Sequence, residues 1–242
     1  YKNFLSNYND SLSVAFEWLN SAGIDEMVLD LRYNNGGAIS SMQHLASILA
    51  PLQQLNNSDI IINDEFNSIL TQYYNAQGIS MQTRFLNISP NLNLNRIYIL
   101  TGQNSASASE ALIIGLDPYM EVITLGEQTH GKYTGAYVIY DTEKKHNWAI
   151  QPIVFKYSNS VGFTDFPDGL TPTYAGEDDL FNALGDPQEG LLAVAIEKIT
   201  GTPVVVAQKS AKIELAVPLH SFDNNKIRMN IPLLKEKLES FK

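Results

Sequence analysis

Cysteine is absent from the 242-residue sequence. That excludes disulfides, thiolate nucleophiles and cysteine-ligated metals, but it leaves the compartment open, because exported and cytosolic proteins can both lack cysteine. Positive charge is scarce: 16 Lys and Arg stand against 26 Asp and Glu, a formal net charge of -10. Without a concentrated basic run, a phosphate-tracking surface is excluded and nucleic acid is not an expected partner. No stretch approaches the roughly 20 apolar residues of a membrane helix, so a spanning segment is not expected. The chain opens at Tyr1 with neither Met nor an apolar leader, which reads as a chain trimmed at its start. Only four histidines occur, His44, His130, His146 and His220. They are too scattered for a metal spacing, and no bound metal is expected.

What is present is enough apolar residue, 44% of the chain, to bury the core of one large α/β domain. Asp10 can cap a helix carrying Leu12, Phe16 and Leu19 and stopped by Gly23. Met27, Val28, Leu29 and Leu31 form a nearly continuous apolar stretch, the pattern of a strand buried on both faces. The turn Gly36-Gly37 follows, then helical spacing over 39–49 ended by Pro51. Residues 53–95, rich in Asn, Gln and Ser, read as mixed loop and helix. A second strand-turn-helix unit runs through 97–100, 105–109 and 110–116. A third strand at 122–125 leads into the polar turn 128–132, and 137–140 and 150–157 read as further strands. A helix at 190–199 is stopped by Gly201. The tail carries a strand candidate at 203–207 and an amphipathic segment at 233–241. Strands alternating with helices give the α/β class.

Three places could carry chemistry. Ser107 lies between a buried strand and a helix start, where free N–H groups and the helix dipole stabilise a developing oxyanion; ordinary capping accounts for a serine there equally well. Gly36-Gly37 could aim a further N–H at the same sheet edge, or simply make a tight turn. Lys132 becomes a base if desolvation lowers its pKa toward roughly 7 to 8, although most lysines are solvated surface groups.

The conjunction of three segments decides more than each alone. Val28-Leu29-Asp30-Leu31-Arg32-Tyr33-Asn34-Asn35-Gly36-Gly37, then Ser105-Ala106-Ser107-Ala108-Ser109-Glu110, then Gly126-Glu127-Gln128-Thr129-His130-Gly131-Lys132 strongly resemble the C-terminal processing peptidases, also called tail-specific proteases. The resemblance covers residues 20–175 and extends plausibly to 201. It implies a crotonase-like α/β core with a mixed sheet and flanking helices. It also implies Ser107 as nucleophile, Lys132 as general base and an oxyanion hole from the backbone N–H groups of Ala108 and of Gly36 or Gly37. Protein or peptide chains would be the substrates, cut near their C-termini. No cofactor is implied, and the location is extracytoplasmic: the periplasm or outer membrane of a Gram-negative bacterium, an upstream lipid anchor being compatible. Residues 1–201 would be the catalytic core and 202–242 an appendage packed on it. The PDZ module that usually precedes the core has no counterpart in the sequence, so a preceding segment is expected to have been removed.

Other matches are looser. The segment 168–172 resembles one that follows the base and is expected to be structural; Asp117 sits one register from a family aspartate and takes no role; Asp30 and Arg32 are expected to pair. The family often has glutamine four residues after the lysine, where this chain has Ala136, so Lys132 must be oriented otherwise, with Thr134 the candidate. Two rivals stand beside the peptidase. One is a binding protein that keeps the fold without activity, as in the retinoid-binding relatives; the other is a Ser/His/Asp hydrolase using His130 or His44.

Overall fold

The computed structural model describes residues 1–204. Nearly all of the expected appendage at 202–242 lies outside the described residues.

A single turn of 3₁₀ helix, Ser6–Tyr8, runs into α1, Asn9–Ser21. Asp10 therefore sits inside the first turn, where its charge favours the helix dipole, instead of capping it. Strand β1, Val28–Asp30, is followed by α2, Ile39–Leu49, and a short α3, Leu52–Asn57, opened by Pro51. The region expected to be loop and helix holds β2, Ile60–Phe66, α4, Ser68–Gln77, and β3, Gln82–Arg84. Next come β4, Arg96–Thr101, α5, Ala108–Leu116, and β5, Glu121–Gly126. Beyond them lie β6, Thr134–Ala136, the hairpin β7, Ile139–Tyr140, and β8, Ala149–Ile150, and then β9, Ile153–Asn159. β10, Tyr174–Ala175, and α6, Gly190–Thr200, complete the described elements.

Among the described residues eight of the ten strands form two four-stranded sheets instead of the one mixed sheet expected, with β7 and β8 paired separately. The first, in order β1-β4-β5-β10, is parallel throughout; the second, β3-β2-β9-β6, is antiparallel. The division follows from the connections. Strands joined through α2 and α5 run parallel, because a crossover helix returns the chain to the same end of the sheet. β6 and β9, linked by a hairpin excursion, run antiparallel.

α5 packs between the two sheets, touching β2 and β9 on one side and β5 on the other. All nine of its residues are buried, which is why, Ser109 and Glu110 apart, it is apolar all round instead of amphipathic. α6 covers the opposite face of the parallel sheet, where Leu191 and Ala195 meet Tyr98, Leu100, Ile123 and Leu125. In register, Asp30 pairs with Leu100, and Thr101 with Gly126. The turns after β1, β4 and β5 therefore leave the sheet at one common edge, and they carry Gly36, Ser107 and Lys132.

Arg32, just beyond β1, is buried and does more than pair with Asp30. Its guanidinium also reaches Asp178 and Glu189, both at 2.6 Å. It pins the segment before α6 to the end of the sheet.

Candidate active site

The turn after β4 is stitched to the turn after β1 by side-chain hydroxyls. Ser105 donates to the Leu31 carbonyl and Ser109 to the Asn34 carbonyl, both at 2.8 Å, while the Ala106 N–H also meets Asn34 O at 3.1 Å. Small hydroxyl residues are what such a packed turn requires, because each buried backbone acceptor must find a donor. Ser107 follows with φ 57°, a left-handed value for a non-glycine residue, and is 2% exposed. Backbone of this kind persists only where its surroundings hold it.

Gly36 provides part of that hold. A β-carbon there would lie 2.7 Å from Ala106 O, 2.8 Å from Ser107 Cβ and 2.9 Å from Ala108 N, and its φ is +98°. Only glycine fits both the space and the backbone. Its N–H is already donated to Asn34 Oδ1 at 2.8 Å, so it has no donor to spare for a substrate. Ala108 opens α5, and a first-turn N–H has no acceptor within its own helix.

The loop after β5 is held by one carboxylate. Glu110, fully buried, accepts from Ser107 N at 2.8 Å and Lys132 N at 2.9 Å through Oε2, and from Thr129 Oγ1 and Gly131 N, both at 2.6 Å, through Oε1. The Tyr157 hydroxyl of β9 adds a second tie, lying 2.9 Å from Ser107 O and 2.8 Å from Lys132 O. Those two carbonyl oxygens are thus within about 6 Å of one another, bridged by a single hydroxyl proton. Burial, with Glu110 and Asp64 adding to it, holds the Tyr157 pKa well above 10.0, so the group remains a donor. His130 N donates to Ser105 O at 3.0 Å, a further stitch between the two turns.

Burial lowers the Lys132 pKa below the ordinary 10.5, opposed by the nearby Glu110 charge. Among the described residues no hydrogen bond joins Ser107 Oγ to Lys132 Nζ, although the two residues stand on adjoining turns. Nor, among the described residues, does a histidine hydrogen-bond Ser107: His44 Nε2 bonds Ser13 Oγ at 2.8 Å and His130 is exposed.

Other expected residues fall in varied places. Asp117 ends α5 at the end opposite Ser107. Thr134 lines a small slot beside Ser107 together with Ala136, but no hydrogen bond joins it to Lys132. The segment 168–172 braces the Lys132 loop, since Thr129 N donates to Leu170 O and Leu170 N to Thr129 Oγ1. Sequence reasoning gave no role to Glu110, although the Ser107-x-x-Glu110 spacing is that of a capping box. Tyr157 left no local signal at all.

Among the described residues no helix is long and apolar enough to cross a membrane. Peptidase family S41 matches residues 1–175. A crystal structure of a candidate S41 protease from Bacteroides fragilis superposes with a TM-score of 0.74 at 27% identity, over 83% of this chain and 53% of that one. The photosystem II D1 C-terminal processing protease shares the fold, with a TM-score of 0.53 at 21% identity over 72% of this chain and 40% of its own. The chain thus spans about half the length, or less, of these relatives. From the family match across residues 1–175, which includes all three turns at the sheet edge, the chain belongs to peptidase family S41.

Proposed function

We propose that residues 1–201 form the catalytic core of a serine endopeptidase that cleaves protein substrates near their C-termini, by acyl transfer through Ser107 with Lys132 as general base. The observation that carries this reading is the double tie between the two residues. Glu110 Oε2 accepts from both backbone N–H groups and Tyr157 faces both carbonyls, while burial lowers the Lys132 pKa. Such rigid support is what a nucleophile and its base need, because misplacement by 1 Å is costly in rate.

In this mechanism neutral Lys132 takes the Ser107 hydroxyl proton as Oγ attacks a peptide carbonyl. The N–H groups of Ala108 and Gly37 receive the oxyanion at the N-terminus of α5; Gly36 contributes the close approach of its backbone instead of a donor. The Lys132 ammonium protonates the departing amine, and water activated by the regenerated base releases the acyl group. An extracytoplasmic location in a Gram-negative bacterium rests on the family resemblance alone.

A second reading, a catalytically silent peptide- or ligand-binding relative, draws on one observation: Ser107 Oγ and Lys132 Nζ make no hydrogen bond. Casein hydrolysis separates the two. The parent chain turns over casein and Ser107→Ala and Lys132→Ala, each folded, do not; an inactive parent, or a Lys132→Ala variant at full rate, overturns the proposal.

A further inference from the structure

Between β6 and β9 the chain leaves the second sheet as a ribbon of its own. β7 and β8 pair antiparallel, Ile139 with Ile150 and Tyr140 with Ala149, and among the described residues they pair with no other strand. The ribbon prolongs the β6–β9 ladder, since Tyr137 N donates to Pro152 O just before it begins. It therefore springs from the two strands that flank Ser107, where Thr134 and Ala136 of β6 and Phe155 and Tyr157 of β9 line the slot beside that residue. At about 3.3 Å per strand residue, Ile139 stands roughly 10 Å along the chain from Ala136. We infer that the ribbon 139–150 is a docking surface for unfolded polypeptide, which holds an extended apolar segment of the substrate a few residues away from the bond that Ser107 attacks. The inference rests on the peptidase reading above.

Burial, charge and position together specify the partner. Trp148 is 80% exposed, Ile153 70% and Ile150 63%, and Ile139 and Tyr140 are exposed as well. Residues paired across a ladder share a face while neighbours alternate, so Ile139 and Ile150 lie on one face of the ribbon and Tyr140 and Ala149 on the other. Both faces are thus apolar and open, in a two-stranded unit that is marginal in water unless something packs on it. In a chain of net charge -10, residues 133–140 and 147–155 contain no charged side chain. At the tip the charges balance. The Asp141 carboxylate fixes the turn by accepting from Glu143 N at 2.9 Å, Lys145 N at 2.6 Å and His146 N at 3.2 Å, and Lys145 Nζ pairs with Glu143 at 2.5 Å. No cationic surplus is left to attract phosphate headgroups, so the surface fits a neutral, apolar partner. Continuity with the strands beside Ser107 makes that partner the substrate chain. Strand edges supply main-chain hydrogen bonds that any extended sequence can meet, and the Ile and Trp side chains select apolar residues along it. Unfolded chains expose both features, whereas folded proteins bury them.

The test compares the parent with Trp148→Thr, Ile150→Thr and the double variant. Threonine keeps strand propensity, and both positions are exposed, so the fold should survive. Binding of fluorescein-labelled casein is read by anisotropy in a Ser107→Ala background, where no chain is cut. The double variant should raise the Kd at least about 10-fold, the scale of losing the contacts of two large apolar side chains. In the active forms, fluorophosphonate labelling of Ser107 counts competent enzyme. There the ratio of kcat/KM for casein to that for a tetrapeptide should fall by a similar factor, through KM. The tetrapeptide is the internal reference, because two residues on either side of the cut span only about 7 Å and stop short of the ribbon. An unchanged casein Kd overturns the inference, as does an equal loss on casein and tetrapeptide. It is also overturned by a parent dimer that the double variant dissolves in sedimentation, or by flotation with phosphatidylcholine vesicles that the double variant abolishes; those results assign the surface to a second copy or to lipid. Absence of both turnover and Ser107 labelling in the parent overturns the underlying peptidase reading instead, while the casein Kd still decides for or against the ribbon.

Discussion

Replacing Glu110 tests whether one buried carboxylate really joins the Ser107 turn to the Lys132 loop. Its two oxygens serve different partners: Oε2 takes Ser107 N and Lys132 N, Oε1 takes Thr129 Oγ1 and Gly131 N. In Glu110→Gln the amide oxygen can keep the first pair. The amide nitrogen can donate to Thr129 Oγ1, whose hydroxyl accepts as well as donates. The Gly131 N–H is then left facing another donor and the Thr129 hydroxyl proton must find another acceptor, a cost of about 1–3 kcal/mol. Glu110→Ala orphans all four donors and should cost at least about 4 kcal/mol on the same scale. For a chain of this size each kcal/mol moves the melting temperature by roughly 2–4 °C, so the two variants separate clearly in thermal and urea unfolding. Casein turnover should fall in both, and to background in Glu110→Ala even below its melting point, because Ser107 and Lys132 lose their common acceptor. Equal and small effects, under about 0.5 kcal/mol for both, or full turnover in Glu110→Ala, would refute the reasoning.

Two further substitutions probe the surroundings. Gly36→Ala places a β-carbon against Ala106, Ser107 and Ala108 at a positive φ; it should destabilise the chain by roughly 1–3 kcal/mol and remove casein turnover, measurable by urea unfolding beside the casein assay. Asp64 of β2 is held near pH 7 by burial, with Oδ1 lacking a partner. Because its folded pKa, about 7, lies above the unfolded 3.8, the folded state holds the proton more tightly. Stability is therefore greatest below the unfolded pKa and is lost as pH rises toward and through the folded one. Asp64→Asn should flatten that decline between pH 4 and 7 by a few kcal/mol, roughly; unfolding curves with the parent's slope retained would contradict it.

Of the parallel sheet, β1, β4 and β5 were legible because they carry their burial in their own composition, whereas the two exposed residues of β10 were not. Ile97 to Leu100 is apolar without interruption, and so is most of 122–125, as a strand covered on both faces demands. β2 was not legible. After Ile60, Ile61 and Ile62 it continues through Asn63, Asp64 and Glu65, a polar run that becomes strand only through pairing with β9 and β3. Propensity and periodicity hold no information about such distant partners. The same limit governs the candidate site. The motif residues Gly36, Ser107 and Lys132 could be read because each stands in a distinctive turn. Tyr157 could not, since it is one aromatic in a strand until the fold brings its hydroxyl between Ser107 and Lys132. The loss of Gly36 as a donor was equally hidden, because it depends on the rotamer of Asn34.

The central claim is that Lys132 activates Ser107, and the most direct measurement is the pH dependence of fluorophosphonate labelling, with the modified residue located by peptide mass spectrometry. A lysine whose pKa is lowered by burial becomes neutral at lower pH than one in water. The labelling rate should therefore rise through a limb centred below the ordinary lysine value of 10.5, on Ser107 alone, and the limb should vanish in Lys132→Ala. Labelling at another residue, or an unchanged limb in Lys132→Ala, would contradict the account.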